Sequence, residues 1–153
     1  MTAIWCLVAV AMVVVVLALA AALHRTRGGV SLERAKELFH LRREWLEAHF
    51  LTLVSTSGKP RHLLWSDCEF ADEVVFATDR ATGQLRAFSA VTVSFEAEEG
   101  GEMEDNPNVG NLREATAVFH FDGGQWMTEG RAVFNLNPLE TVERFQHELQ
   151  SVD

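Results

Sequence analysis

The chain is poor in the residue patterns that most often announce chemistry. It has two cysteines in 153 residues, which excludes a small scaffold held together by disulfides. No CxxC, HxH or HExxH spacing occurs, and the six histidines (His24, His40, His49, His62, His120, His147) are scattered, so no standard metal site is expected. No GxGxxG and no GxxxxGK[ST] is present, which removes the common phosphate-cradling loops. Positive charge is also scarce. Thirteen Lys and Arg stand against 22 Asp and Glu, and the net charge of -9 would repel a phosphate backbone, so no nucleic-acid partner is expected.

Charge is missing altogether from the first 23 residues. Thr2 to Leu23 is a run rich in Val, Ala and Leu, long enough at about 1.5 Å per residue to cross the roughly 30 Å of a bilayer's hydrocarbon. A cleaved signal peptide is the alternative, since Ala18-Leu19-Ala20 and Ala20-Ala21-Ala22 resemble small-residue cleavage sites. Such a peptide, however, wants a basic start that is not found here. The reading adopted is a transmembrane anchor over residues 1–24. Arg25, Arg27, Arg34, Lys36, Arg42 and Arg43 all lie C-terminal to the run and none precedes it, which places the N-terminus outside and the remainder in the cytoplasm. Trp5 on one side and Arg25 and Arg27 on the other are the expected membrane-interface residues. No GxxxG pair marks a helix-dimerisation face.

Beyond the anchor the chain divides by charge. Residues 24–49 carry 6 basic and 4 acidic side chains, whereas residues 50–153 carry 7 basic and 18 acidic ones. The first stretch (25–49) reads as a basic amphipathic helix capped by Ser31, with Leu32, Ala35, Leu38, Phe39, Trp45 and Leu46 at helical spacing. Packing of that apolar stripe on a sheet is favoured over a position on lipid headgroups. The stretch 50–153 reads as an acidic sheet domain. Phe50–Thr56 and Arg61–Ser66 flank Ser57-Gly58-Lys59-Pro60 as a hairpin, and Val74–Thr78 is a short strand. Leu85–Ala97 alternates as one long strand or two joined by a bulge. Ala115–Phe121 and Trp126–Leu136 flank Asp122-Gly123-Gly124-Gln125 as a second hairpin. A C-terminal helix begins at Asn137-Pro138 with Glu140 three residues after the cap, and its stripe is Leu139, Val142, Phe145 and Leu149. The fold class expected is therefore α+β. An N-terminal transmembrane helix and an amphipathic helix precede a five- to six-stranded, mostly antiparallel meander sheet and a C-terminal helix.

Two clusters are candidates for function. Glu96, Glu98, Glu99, Glu102, Glu104 and Asp105 place six carboxylates in ten residues. Their irregular spacing lacks the order of a calcium-binding loop, so Glu98, Glu99, Glu102, Met103, Glu104 and Asp105 are read as a partner-binding surface. His62, Trp65 and Trp126 are an alternative ligand pocket between helix and sheet. Cys68 lies near His62, but no third orienting group accompanies them, and no catalytic constellation is evident.

Phe50-Leu51-Thr52-Leu53-Val54-Ser55-Thr56-Ser57-Gly58-Lys59-Pro60, with Val75-Phe76-Ala77-Thr78-Asp79, resembles the split-barrel flavin-binding proteins of the pyridoxamine-phosphate-oxidase type. That resemblance implies FMN as a cofactor. Where that family continues into a basic helix for the flavin phosphate, Gly83-Gln84-Leu85-Arg86 enters a strand. The order of elements is similar to cystatin-like and NTF2-like cones. Trp65-Ser66-Asp67-Cys68, Asp79-Arg80-Ala81-Thr82-Gly83 and Phe134-Asn135-Leu136-Asn137-Pro138 are among the stretches that resemble a family of short bacterial single-pass membrane-anchored proteins. That likeness implies an anchored architecture and adds no catalytic residue.

The function these features point to is a non-enzymatic, membrane-anchored interaction module, an accessory or scaffolding subunit without a cofactor. Its partners would be the lipid bilayer and another membrane-associated protein. The alternative is a small-ligand pocket protein or enzyme.

Overall fold

The structure is a computed structural model and describes residues 30–56 and 62–152, together with Met12. The chain divides into two units at Lys36/Glu37. In the first, Ser31 starts helix α1 (Leu32–Thr56), its Oγ accepting from the Arg34 amide at 3.3 Å. The second unit holds the rest of α1 together with all five strands and the C-terminal helix.

From Glu37 onward α1 buries Phe39, Leu46, Phe50 and Val54 along one face. Strands β1 (Leu63–Asp79), β2 (Leu85–Ala97), β3 (Arg113–Asp122) and β4 (Gln125–Phe134) come next in the chain. The short helix α2 (Pro138–Arg144) and strand β5 (Leu149–Ser151) complete the unit. The sheet is antiparallel in the order β4-β3-β2-β1-β5. On its α1 face Phe39 meets Phe76, Phe119 and Trp126 at centroid separations of 5.1–5.6 Å, all edge-on. On the opposite face Val75, Ala77, Phe88 and Val118 pack with Val142 and Leu149. The sheet is thus buried from both sides at the α2 end.

The α+β class with an antiparallel sheet is the one observed, but the expected architecture needs correction. No helix among the described residues is long and apolar enough to cross a membrane. Apart from Met12, the transmembrane helix expected over 1–24 lies outside the described residues, as do Trp5, Arg25 and Arg27.

Phe50–Thr56, expected as the first strand, is the end of α1. Phe50 and Val54, four residues apart, extend the buried face by one more turn, and that burial outweighs the strand propensity of Leu51–Thr56. The hydroxyls of Thr52 and Thr56 donate to the carbonyls of Ala48 and Thr52, four residues back, at 2.9 and 2.8 Å. The same finding removes the first strand of the split-barrel pattern. The split-barrel topology is therefore not the one observed among the described residues.

The separate strands expected at Arg61–Ser66 and Val74–Thr78 are one strand, β1, interrupted by register shifts at Trp65/Asp67 and Phe70/Val74. Arg43 of α1 secures the second irregularity. Its guanidinium donates to the carbonyls of Ala71 and Asp72, while its Nε donates to Glu47 at 2.7 Å.

The C-terminal helix has the expected cap. Asn137 accepts from the Glu140 amide at 2.8 Å and Glu140 returns the bond to the Asn137 amide at 3.1 Å. The helix nevertheless stops at Arg144, and Leu149 lies in β5 rather than on its stripe. β5 pairs with Ala77–Asp79 and so covers the end of β1, an edge that would otherwise leave backbone groups unpaired. The sheet is consequently not a pure meander.

Candidate functional site

Among the described residues, three regions stand out for their exposed or incompletely paired groups. The first is the acidic connection between β2 and β3. Glu98 to Asn111 is a chain of tight turns, with Gly101 N–H donating to Glu98 O and Glu104 N–H to Gly101 O. Gly100 N–H donates to the Glu104 carboxylate at 2.9 Å, and Val109 is buried as the anchor of the segment. Glu99, Glu102, Glu104 and Asp105 are exposed, whereas Glu98 and Met103 are half-buried. These carboxylates do not converge. No group of three or more His, Cys, Asp or Glu suited to a metal ion occurs among the described residues.

His62 stands against these turns. Its Nδ1 lies 3.2 Å from Glu98 Oε2, and its carbonyl accepts from the Glu98 amide at 2.8 Å. Gly101 passes so close that a Cβ there would sit 2.9 Å from the His62 Cβ. The alternative pocket is therefore not assembled. His62 joins the acidic turns, while Trp126 is 1% exposed in the core beside Phe39, Phe76 and Phe121. Trp65 packs elsewhere, on Phe50, Phe95 and Phe134. Cys68 is half-buried, and desolvation, with the Asp67 charge beside it, pushes its thiol up to about 11. A thiol so protonated at neutral pH is a poor nucleophile.

The second region is the outer side of α1. Trp45, expected on the packing stripe, is 56% exposed and stacks on His49 at 5.2 Å. Leu41, one turn earlier, is 75% exposed. Relative to the Phe39–Leu46–Phe50 face these two residues lie on the far side of the helix. A sum over the whole helix hides them, because apolar residues on both faces blur its amphipathic pattern.

The third region is not legible as a motif. On the sheet face away from α1, Gln84, Arg86, Val118, His120, Glu129 and Arg131 line a depression of about 140 Å³. A smaller one of about 20 Å³ adjoins it, sharing Arg86, Val118 and Arg131 and walled by Phe88, Val133, Phe145 and Leu149 with Thr141 and Glu148. Its geometry comes from an irregularity in β4. Ala117 pairs with Ala132 and Phe119 with Thr128, so Glu129, Gly130 and Arg131 together oppose the single residue Val118. Thr128 Oγ1 holds the loop-out, donating to Val118 O at 3.0 Å and accepting from Gly130 N–H at 3.1 Å.

Arg86 is paired on one side only. Its Nη2 lies 2.7 Å from Asp79 Oδ2, while its buried Nε finds no acceptor among the described residues. Asp79 also accepts from the amides of Ala81 and Thr82. The Thr82 amide first, with Ala81 and Arg86 assisting, holds its carboxyl below the usual value of 3.8. Arg131 has no hydrogen-bond or ion-pair partner among the described residues. Arg86 and His120 are cross-strand partners, a juxtaposition that the sequence conceals because 34 positions separate them.

No family model matches the chain, and neither the curated proteins nor the solved structures provide a match.

Proposed function

We propose that the protein is a non-enzymatic interaction module held at the cell membrane by its uncharged N-terminal run, an accessory subunit of a membrane-associated assembly. The observation that carries this reading is the exposure of Leu41 and Trp45, one turn apart on a helix whose opposite face already serves the core. Tryptophan fixed on a rigid helix is the residue type that dominates protein–protein interfaces, since it brings a large apolar area at little entropic cost. The exposed carboxylates at Glu99, Glu102, Glu104 and Asp105 add a second surface, suited to a basic partner. Attachment rests on the sequence of Thr2–Leu23, and the basic residues C-terminal to it favour a cytoplasmic head.

Extraction in mild detergent, then native mass measurement, tests the proposal. A stoichiometric second protein is expected with the native chain and is expected to be lost with Trp45→Ser. Recovery of free monomer alone from both would overturn the reading. Protease protection of the C-terminal part in sealed vesicles tests the orientation separately.

A further inference from the structure

We infer that the depression on the sheet face away from α1 is a binding site for a small carboxylate bearing a short apolar tail. The inference is independent of the interaction reading, because it concerns the other face of the sheet. Charge supplies the first ground for it. Residues 50–153 carry 11 more acidic than basic side chains, yet two of their seven basic residues, Arg86 and Arg131, line one concavity together with His120. In an acidic domain such placement runs against the average field, so it is local geometry that gathers the positive groups.

Arg86 is fixed before any ligand arrives. Asp79 holds one terminal nitrogen, and Asp79 is itself held by two turn amides. A guanidinium oriented in this way still has donors to offer. Arg131 stands across Val118 from it, without a partner among the described residues, and two such forks suit the two oxygens of a carboxylate. Gln84 and His120 provide further hydrogen-bonding groups on the rim.

Glu129 sets the upper limit on ligand charge. It lines the same depression, Glu148 lines the adjoining one, and both oppose a multiply charged anion, so a monoanion is favoured over a phosphate dianion. The apolar requirement comes from the adjoining space. Phe88, Val133, Phe145 and Leu149 form the apolar part of a recess that Arg86 and Arg131 also line, with Thr141 and Glu148 on its remaining wall, and its small volume admits only the end of a short tail.

Calorimetric titration of the full chain in mild detergent at low ionic strength provides the test, with butyrate, acetate and inorganic phosphate as probes. Saturable one-to-one binding of butyrate is expected, with acetate several-fold weaker. Arg131→Gln should weaken butyrate about tenfold, as expected for the loss of one charge-assisted pair. Glu129→Gln should tighten it several-fold, a gain that a misfolded variant cannot produce. The inference is overturned by any of three results. They are no saturation with butyrate in the millimolar range, phosphate binding as tightly as butyrate, or equal butyrate affinity in the native chain and both variants. Equal affinity for acetate and butyrate overturns the apolar recess.

Discussion

Gly130 in β4 and Leu53 in α1 touch so closely that a Cβ placed on the glycine would stand 3.0 Å from the Cβ of the leucine. This approach sets the distance between helix and sheet beside the β4 irregularity, and Gly130 also has φ +72°. Both constraints require glycine, one for space and one for backbone geometry.

Gly130→Ala should therefore destabilise the chain by about 1–3 kcal/mol, combining left-handed strain with crowding. Gly83 separates the two contributions, since it has φ +70° with open space around its Cβ position. Gly83→Ala is expected to cost only the backbone part, about 1 kcal/mol. Urea midpoints of the two variants in the same detergent measure the difference. Equal losses would show that Leu53 yields without cost.

The two hairpin-like signals in the sequence had different fates, and the contrast explains what could be read. Asp122-Gly123-Gly124-Gln125 turns as expected, because Gly123 and Gly124 both adopt positive φ, at 56° and 87°. That information is local. The Asn137–Glu140 cap is legible for the same reason. Phe50–Thr56 misleads because its local preference is for strand, and only the packing of Phe50 and Val54 on the sheet makes it helical. Trp45 misleads in the other direction, since an apolar residue close to a buried stripe reads as part of it. The Arg86–His120 and Arg86–Asp79 relationships depend on strand pairing and a turn, and no spacing rule encodes them. The acidic segment is plain as composition, whereas its sequence of turns and the contact of Glu98 with His62 are not.

Acid should expose the role of Asp79. Its carboxyl is held below 3.8 in the folded chain, so the charged form stabilises the fold fully above that unfolded value. The contribution drains away as pH falls through the lower, folded value. In urea unfolding tracked from neutral pH to pH 2, the native chain should lose more stability across this window than Asp79→Asn. The variant should already be weaker at neutral pH, where Ala81, Thr82 and Arg86 have lost a charged acceptor. Parallel profiles would mean that Asp79 contributes nothing that depends on its charge.

Cys68 should be slow to react. With its thiol pushed up to about 11 by burial first and Asp67 second, the thiolate fraction at pH 8 is about 100-fold below that of a thiol at the ordinary 9.0, once both are far from saturation. With Cys6, the other cysteine of the chain, replaced by serine, alkylation of the native fold should accelerate about tenfold per pH unit through pH 9 and 10, levelling only near 11. Asp67→Asn should raise the rate at pH 8 by removing the neighbouring charge, the smaller of the two causes. A rate already level by pH 9 would contradict the described environment.

Trp45 offers the sharpest separation of folding from function. Phe39 lies within 5.1–5.6 Å of three aromatic rings and is fully buried, so Phe39→Ala should cost about 3–5 kcal/mol. Trp45 faces outward and stacks only on His49 among the described rings, so Trp45→Ser should change stability by no more than about 0.5–1 kcal/mol. Thermal or urea unfolding of the two variants measures this contrast. On the proposed interaction reading, Trp45→Ser should keep the fold while losing the stoichiometric partner. Loss of more than about 2 kcal/mol in Trp45→Ser would instead assign the residue to the stability of α1 itself, and its exposure would no longer support a docking surface.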